Sequence, residues 1–244
     1  MNFKGVIFDL DGVISKTEKV HALAWKKTFD SFLKERSYES GEDFVEFDLV
    51  KDYFECLDGK PRKEGIKSFL YKRGVLIEEN EESSNEKEFI NILGSKKDNI
   101  FKKIIDSDGV ELYEGSINLI NNLYKKKIEL YVASSSKNCR KVLKTSGIIK
   151  NFNGIFDGID LEKNNLKGKP EPDIFINVIK NSKLSFFDFL VFEDSKAGIE
   201  SAKSGGFFVI GVDRLNNPEA LKKAGADRVV KDLREIKIDS YFHS

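Results

Sequence analysis

Four short apolar runs and a weaker fifth constrain the fold of this chain more than any other feature of its sequence. Each run is nearly continuous in Val, Ile, Leu, Phe or Tyr, which is typical of a strand buried on both faces of a parallel sheet. Between the later runs, apolar residues recur at helical spacing, so strands and helices alternate. This alternation predicts an α/β fold, an open parallel sheet with right-handed crossovers. The predicted strands are residues 5–10, 128–133, 189–192, 207–212 and, more weakly, 228–230.

A long helical region separates the first run from the second. Over residues 16–105 the apolar side chains follow helical spacing without a convincing strand, whereas a whole strand-helix-strand unit takes only about 30 residues. We therefore predict a discontinuous core domain, residues 1–15 and 110–244, and an all-helical domain at residues 16–109 inserted into it. Within the insertion, the acidic stretch at residues 78–86 is predicted to be a solvated loop.

The charge balance and the cysteine content argue against several classes of protein. The chain has 41 basic and 41 acidic side chains, so it lacks the basic excess that is usual in nucleic-acid-binding proteins. Its apolar runs are shorter than the roughly 18–20 residues of a membrane span. The apolar run near its start is too short, and is followed too early by an acidic residue, for a secretory signal. Cys56 and Cys139 show no paired spacing that would indicate a disulfide framework or a zinc site. We expect a monomeric cytoplasmic protein that binds neither nucleic acid nor membrane.

Pairs of acids follow two of the predicted strands. Asp9 and Asp11 alternate along the chain, so both should project from the carboxyl end of their strand, where ligands bind in open α/β sheets. An isolated motif of this kind would more simply be an Asp-rich turn closed by Gly12. Here Glu193 and Asp194 follow another buried run, and hard cations such as Mg²⁺ prefer carboxylate oxygens. The acids therefore predict a magnesium site at this edge of the sheet.

A serine and a lysine add phosphate-binding groups near the same predicted edge. Ser134 ends the second run and could donate its hydroxyl to a phosphate oxygen, whereas Ser135 or Ser136 could serve only as a helix N-cap. Lys169 precedes Pro170, and proline favours the first turn of a helix, which would hold the lysine in one place. An exposed loop lysine is the alternative.

Together, these four segments resemble the haloacid dehalogenase superfamily of phosphotransferases. The resemblance covers essentially the whole chain in the same order, and it implies a Rossmann-like core with a helical cap domain. It also implies that Asp9 is the nucleophile that becomes an aspartyl-phosphate and that Asp11 is the general acid/base. By the same resemblance the transferring phosphoryl group is bound by Ser134, Ser135 and Lys169, and Mg²⁺ is held by Asp9, the carbonyl of Asp11, Glu193 and Asp194.

Within this superfamily the chain is most similar to the β-phosphoglucomutase family, through Thr17, His21, Trp25 and residues 133–138. Residues 59–62 resemble that family's substrate loop, whose arginine grips the phosphate that is not being transferred. The resemblance implies a hexose phosphate substrate and interconversion of β-glucose 1-phosphate and glucose 6-phosphate. The implied substrate contacts are Thr17, His21, Trp25, Gly59, Lys60, Arg62, Lys96, Lys97, Ser136, Lys137 and Asn138.

Two departures from that family leave the substrate open. Asp58 stands where those proteins carry a basic residue, and residues 38–53 are longer than their linker. Both lie in the predicted cap, which selects the substrate, so a phosphatase acting on a sugar phosphate or another small phosphorylated metabolite is the alternative. His21 and Trp25 could instead pack on each other along a helix. Lys96 and Lys97 could form a solvated face, and the sequence leaves open which of them meets the substrate.

Overall fold

The computed structural model describes residues 2–58, 60–76 and 83–242. The chain forms two compact units. The first unit combines both ends of the chain, Met1–Thr17 and Val110–Ser244, and the second is the continuous segment Glu18–Gly109. No helix among the described residues has the length and apolarity that a membrane span requires. The chain leaves the first unit once and returns to it once.

A six-stranded parallel sheet forms the centre of the first unit. Its strands are β1 (Gly5–Phe8), β2 (Glu129–Ala133), β3 (Gly154–Phe156), β4 (Phe189–Glu193), β5 (Phe208–Val212) and β6 (Arg228–Val230). Their order across the sheet is β3-β2-β1-β4-β5-β6. The first strand of the chain therefore lies in the middle of the sheet, and the predicted α/β fold class is confirmed.

Five of these strands are predicted from the sequence and β3 is not. Both β1 and β4 are buried along their whole length, as their continuous apolar sequences indicate. In contrast, β3 has three half-buried residues and lies at one edge of the sheet. A strand this short contains too few residues for a periodic pattern, so its sequence does not reveal it.

Helices make up the second unit and alternate with the strands of the first. The second unit contains α1 (Glu18–Ser40), α2 (Lys51–Cys56), α3 (Arg62–Lys72) and α4 (Ser84–Asp108). The first contains α5 (Glu114–Lys125), α6 (Cys139–Thr145), α7 (Gly158–Lys163), α8 (Asp173–Lys180), α9 (Lys196–Ser204) and α10 (Pro218–Lys223). The described part of the second unit has no strand, as expected of a helical insertion. Its role as a substrate-selecting cap stays a prediction.

Two local predictions are wrong at the starts of helices. Pro170 lies before α8 rather than in its first turn, and Pro172 occupies the N-cap position. In the acidic stretch, Ser84 already belongs to α4, because the Ser83 hydroxyl accepts the Glu86 N–H at 3.2 Å and caps the helix. A serine three residues before a glutamate is an N-cap signal, and it decides against a loop there. The remainder of the predicted loop, residues 78–82, lies outside the described residues.

An aromatic cluster forms the core of the second unit. The centroid of the buried Phe29 ring is 4.0 Å from that of Phe69 and 5.2 Å from that of Trp25. Phe47 also stacks on Phe29, at 5.5 Å, and is 1% exposed. Because Phe47 belongs to the long segment at residues 38–53, part of that extra length is anchored in the core. Burial of a phenylalanine side chain contributes about 1.5–3 kcal/mol.

An ion pair joins α2 to the end of α3. Asp52 is 3% exposed and accepts a hydrogen bond from Arg73. It also forms an ion pair with Lys72 at 3.0 Å. Burial alone would raise the pKa of Asp52, but the hydrogen bonds from the Asp48 N–H, Arg73 and Lys72 outweigh it and lower the pKa. The carboxylate therefore stabilises the fold at every pH above its ordinary pKa.

We expect Asp52→Asn to lower the free energy of unfolding at pH 7 by about 1–3 kcal/mol, because two cations lose a buried partner. The deficit should stay constant down to about pH 5 and shrink below the ordinary aspartate pKa of about 3.9, where the wild type also loses the charge. Urea unfolding across this pH range measures it. Glu55→Gln is the control, since Glu55 pairs with the same Lys72 but is exposed. Equal effects of the two substitutions would contradict the assignment.

Candidate active site

Three carboxylates meet at the carboxyl edge of the sheet. Asp9 directly follows β1, Glu193 is the last residue of β4, and Asp194 follows it. Residues Phe8 and Phe192 are register partners, and the Asp9 N–H donates to the Phe192 carbonyl at 2.9 Å. One carboxylate oxygen from each acid lies within 4.8 Å of the other two. The pairing of β1 with β4 thus brings together acids that are far apart in the chain.

Lys169 reaches the same acids from the loop before α8. Its Nζ lies 2.6 Å from Asp9 Oδ1 and 2.9 Å from Glu193 Oε2, and it also donates to the Ala133 carbonyl at 3.4 Å. Lys169 is 2% exposed and Glu193 is 1% exposed. The alternative of an exposed loop lysine is therefore wrong, and one cation lies among three carboxylates.

Burial and charge shift the pKa of both members of this ion pair. Burial raises the pKa of Asp9 well above its usual value, and the Glu193 carboxylate raises it further, although the Lys169 ammonium opposes the shift. Burial alone would lower the pKa of Lys169, but Asp9 and Glu193 outweigh it and raise that pKa. Both causes of the raised Asp9 pKa, burial and the neighbouring carboxylate, disfavour its ionised form, and a further cation beside it would favour that form.

The Asp11 side chain lies outside this group of three acids. Its Oδ1 accepts a hydrogen bond from Thr17 Oγ1, and Thr17 Oγ1 lies 2.6 Å from Ser15 Oγ. Both hydroxyl residues are buried, Thr17 at 1% exposure. The Asp11 carboxylate therefore faces the segment that leads out of the first unit. Metal coordination by Asp11 and substrate contact by Thr17 stay predictions.

A short chain of hydrogen bonds orders the turn after β2. Ser134 is fully buried, and its Oγ accepts the Ser136 N–H at 3.1 Å. The Ser136 Oγ in turn accepts the Asn138 N–H at 3.2 Å. Asn138 occupies the N-cap position of α6, so the alternative that Ser135 or Ser136 serves as the N-cap is wrong, and substrate contact by Ser136 and Asn138 stays a prediction. Since β2 is the other neighbour of β1, Ser134 lies at the same edge of the sheet as Asp9.

Ser135 and Lys137 belong to the same turn, and both are half-buried. The Lys137 Nζ forms an ion pair with Glu162 of α7 at 2.5 Å. A substrate bound by Lys137 would therefore share the lysine with this carboxylate. The phosphate contact of Ser135 and the substrate contact of Lys137 stay predictions.

In the second unit, Lys97 and Lys96 differ sharply in their surroundings. Lys97 is 2% exposed, and its Nζ lies 2.6 Å from His21 Nδ1 and 4.7 Å from the centroid of the Phe101 ring. The His21 ring packs on Phe101 at 4.2 Å, while Trp25 stacks on the aromatic core. Lys96 is exposed. The solvated-face alternative therefore holds for Lys96 and is wrong for Lys97.

Arg62 begins α3, and its guanidinium is held by α4. The Nη2 donates to Asp98 at 2.8 Å, and the two side chains are 18% and 16% exposed. Lys60 donates from its Nζ to the Glu55 carbonyl at 3.1 Å and to Ser68 at 3.2 Å. Gly59, the glycine of the predicted substrate loop, lies outside the described residues. Substrate contact by Lys60 and Arg62 stays a prediction.

Comparison with known proteins identifies the family of this chain. The model of a family described as haloacid dehalogenase-like hydrolases matches residues 3–206. The chain belongs to that family. A β-phosphoglucomutase of Mycobacterium bovis is 34% identical over 238 residues, which are 96% of this chain and 91% of the relative. A phosphorylated carbohydrates phosphatase of Thermotoga maritima is 28% identical over 232 residues, 93% of this chain and 94% of the relative.

A solved structure of β-phosphoglucomutase from Clostridium difficile matches this haloacid dehalogenase-like protein with a TM-score of 0.77 and 28% identity, covering 98% of this chain and 95% of that one. Together with the family model, these relatives indicate an enzyme, either an isomerase or a phosphatase. The names of the relatives include both activities.

Two further residues of this haloacid dehalogenase-like enzyme, to which the sequence analysis assigns no role, support the acid cluster. The Ser195 hydroxyl donates to Glu193 Oε1 at 2.7 Å. A Cβ at Gly198 would lie 2.0 Å from Glu193, so a side chain there would displace the carboxylate. Ser195 caps α9, and a serine between paired acids and a helix is a signal that could have revealed it. No pattern of neighbouring residues marks Gly198, because the Glu193 atoms for which it leaves room belong to a different turn of the chain.

Proposed function

We propose that this enzyme transfers phosphoryl groups through an aspartyl-phosphate on Asp9, that it uses Mg²⁺, and that it interconverts β-glucose 1-phosphate and glucose 6-phosphate. The observation that carries the proposal is the 2.6 Å contact between Lys169 Nζ and Asp9 Oδ1, inside a group of three carboxylates. A buried carboxylate with a cation beside it is suited to attack a phosphorus atom and to bind the oxygens around that atom.

The chemistry follows from the groups around Asp9. An Asp9 oxygen forms a bond to phosphorus while the bond to the leaving oxygen breaks, which divides one difficult transfer into two easier ones. The Lys169 ammonium stabilises negative charge on the phosphoryl oxygens in the transition state, and the Ser134 hydroxyl donates a hydrogen bond to one of them. Asp11 gives a proton to the leaving sugar oxygen and later takes one from the next acceptor.

Mg²⁺ fits the acid cluster on chemical grounds. Asp9, Glu193 and Asp194 offer only oxygen ligands, which hard cations prefer, and a single lysine leaves them with excess negative charge. These three residues would hold the ion, which when bound supplies positive charge to the phosphoryl oxygens. Ser195 and Gly198 orient the Glu193 carboxylate for this task.

The mutase is favoured over the phosphatase by Arg62 and by the 34% identical relative named β-phosphoglucomutase. A mutase passes through a sugar bisphosphate, so a second cationic group must hold the phosphate that is not being transferred. The Arg62 guanidinium, oriented by Asp98, has the two-pronged geometry that phosphate requires. The phosphatase named among the relatives keeps hydrolysis as the second candidate, in which water accepts the phosphoryl group.

One assay separates the two candidates. Formation of glucose 6-phosphate from β-glucose 1-phosphate is followed by a coupled dehydrogenase, with and without a hexose bisphosphate primer, beside release of free phosphate. A mutase gives primer-dependent glucose 6-phosphate and little phosphate, and chelation of Mg²⁺ stops it. Release of phosphate without isomerisation would establish the phosphatase instead. Activity that survives exhaustive chelation would contradict the metal assignment.

We expect Arg62→Ala to lower kcat/KM for isomerisation of β-glucose 1-phosphate by about 10²-fold, the scale of losing roughly 3 kcal/mol of transition-state stabilisation. Hydrolysis of acetyl phosphate, which has no second phosphate, should change far less. Arg62→Lys should restore only part of the loss, since an ammonium keeps the charge without the fork. Arg36→Ala, at a half-exposed arginine that pairs with Glu42, is the control. Equal losses on both substrates would instead indicate a structural arginine.

A further inference from the structure

The turn that carries Asp11 packs directly against the acid cluster. Gly12, the next residue, has a φ of +78°, and a Cβ there would lie 1.7 Å from Asp194 Oδ2. The Gly12 N–H donates to the Ser15 carbonyl at 2.9 Å. Gly12 therefore lies close to Asp194, and contacts to its backbone help to fix the main chain beside Asp11, whose carboxylate also accepts the Thr17 hydrogen bond.

Arg214 supplies that contact from the loop after β5. Its Nε donates to the Gly12 carbonyl at 2.6 Å, and its Nη1 donates to the Lys231 carbonyl at 3.1 Å. The guanidinium carbon lies 3.5 Å from the centroid of the Tyr113 ring, in stacking distance. Two hydrogen bonds and one stacked face fix the guanidinium in a single orientation.

The stacked tyrosine extends this support to the segment that follows the turn. The Tyr113 N–H donates to the Ile14 carbonyl at 3.0 Å, and Ser15 forms an antiparallel bridge with Leu112. Arg214 therefore contacts the turn at Gly12 directly and, through Tyr113, the returning chain that pairs with the residues after it.

We propose that Arg214 is a positioning residue for Asp11, acting through the Gly12 carbonyl. The inference rests on the proposed function, in which Asp11 gives a proton to the leaving oxygen. Proton transfer needs donor and acceptor within hydrogen-bond distance, so small displacements of the Gly12 backbone are costly. Arginine suits the place because its flat guanidinium stacks on Tyr113 while two of its N–H groups point to different carbonyls. Lysine has no flat face and a single nitrogen.

The leaving group of the substrate distinguishes this role from general stabilisation of the fold. A sugar oxygen leaves only if it receives a proton, which Asp11 provides as the bond to phosphorus breaks and the Asp9 oxygen bonds to phosphorus. Acetate leaves acetyl phosphate as a stable anion and needs no proton. A misplaced Asp11 should therefore harm transfer from a hexose phosphate selectively, whereas partial unfolding would harm both substrates equally.

The experiment measures kcat/KM of Arg214→Met for primed turnover of β-glucose 1-phosphate, counted as glucose 6-phosphate and free phosphate formed, and for phosphate release from acetyl phosphate. Circular dichroism confirms folding. We expect a loss of about 30-fold with β-glucose 1-phosphate and less than about threefold with acetyl phosphate, a part of the 10²–10⁴-fold that general acid catalysis contributes. The kcat/KM of Arg214→Lys should lie between those of wild type and Arg214→Met. If Arg214→Met does not fold, Arg214→Lys is measured in its place. Arg228→Met, at an arginine that contacts the Tyr241 hydroxyl at 2.8 Å, should leave both substrates unaffected.

Asp11→Asn provides the decisive comparison. Its kcat/KM should also fall more with the sugar substrate than with acetyl phosphate. The double variant Asp11→Asn/Arg214→Met should have the same kcat/KM as Asp11→Asn alone, because both substitutions act on one proton transfer. Equal losses on both substrates, or additive losses in the double variant, would overturn the role of Arg214. Wild-type protein that turns over neither β-glucose 1-phosphate nor acetyl phosphate would overturn the proposed function itself, and the inference with it.

Discussion

Replacing Asp9 with asparagine is expected to abolish phosphoryl transfer to sugar and to water alike while the protein remains folded. The amide keeps the size of the side chain but has no anionic oxygen to attack phosphorus. Because burial and Glu193 raise the pKa of Asp9, its ionised form costs stability at neutral pH, so the variant should melt at the same or a higher temperature in Mg²⁺-free buffer. The higher melting temperature of Asp9→Asn should appear only at pH values above the ordinary aspartate pKa.

Three measurements check this expectation: turnover of β-glucose 1-phosphate and of acetyl phosphate, intact-protein mass after mixing with substrate, and thermal unfolding. The wild type should gain the mass of one phosphoryl group and the variant none. Asp188→Asn is a matched control. Asp188 immediately precedes β4, at the opposite end of that strand from Glu193, and it forms an ion pair with Lys4. Substantial turnover by a folded Asp9→Asn protein would rule out the aspartyl-phosphate mechanism.

Lys169→Met should cause the second-largest loss. It removes the cation that contacts both Asp9 and Glu193, so kcat/KM should fall by about 10³-fold, the upper range for deleting one group that stabilises transition-state charge. The protein should also lose about 3–5 kcal/mol of stability at neutral pH without Mg²⁺, since buried carboxylates lose their compensating charge.

The pH dependence of the Lys169→Met deficit has a definite sign. Without the ammonium, the folded-state pKa of Asp9 rises further above its ordinary value, so the destabilisation grows as pH rises and shrinks as pH falls toward about 4. Melting temperatures between pH 5 and 8, with and without Mg²⁺, measure it, and added Mg²⁺ should restore part of the stability. Lys167→Met, two residues earlier at an exposed lysine, should change neither activity nor stability. A deficit that does not vary with pH would argue against charge compensation.

The sequence predicts those features that depend on neighbouring residues and leaves out those that depend on distant ones. The strand of Asp9 and that of Glu193 are continuous apolar runs, so the edge where their acids meet is predictable from the order of the elements. The contact of Lys97 with His21 is different, because the helical spacing around two adjacent lysines does not state which one faces inward. Arg214 likewise carries no motif, since its partners Gly12 and Tyr113 meet it only in the folded chain.

The central place of β1 in the sheet sets the order of assembly during synthesis. β1 leaves the ribosome first, yet its neighbours β2 and β4 belong to the second half of the chain. The continuous unit Glu18–Gly109 emerges in between and can form its aromatic core while the nascent β1 is still unpaired, since domains generally fold as units. Asp9 acquires Lys169 and Glu193 as neighbours only after β4 has been made. A truncated translation product therefore contains Asp9, the proposed nucleophile, without Lys169 and Glu193 beside it.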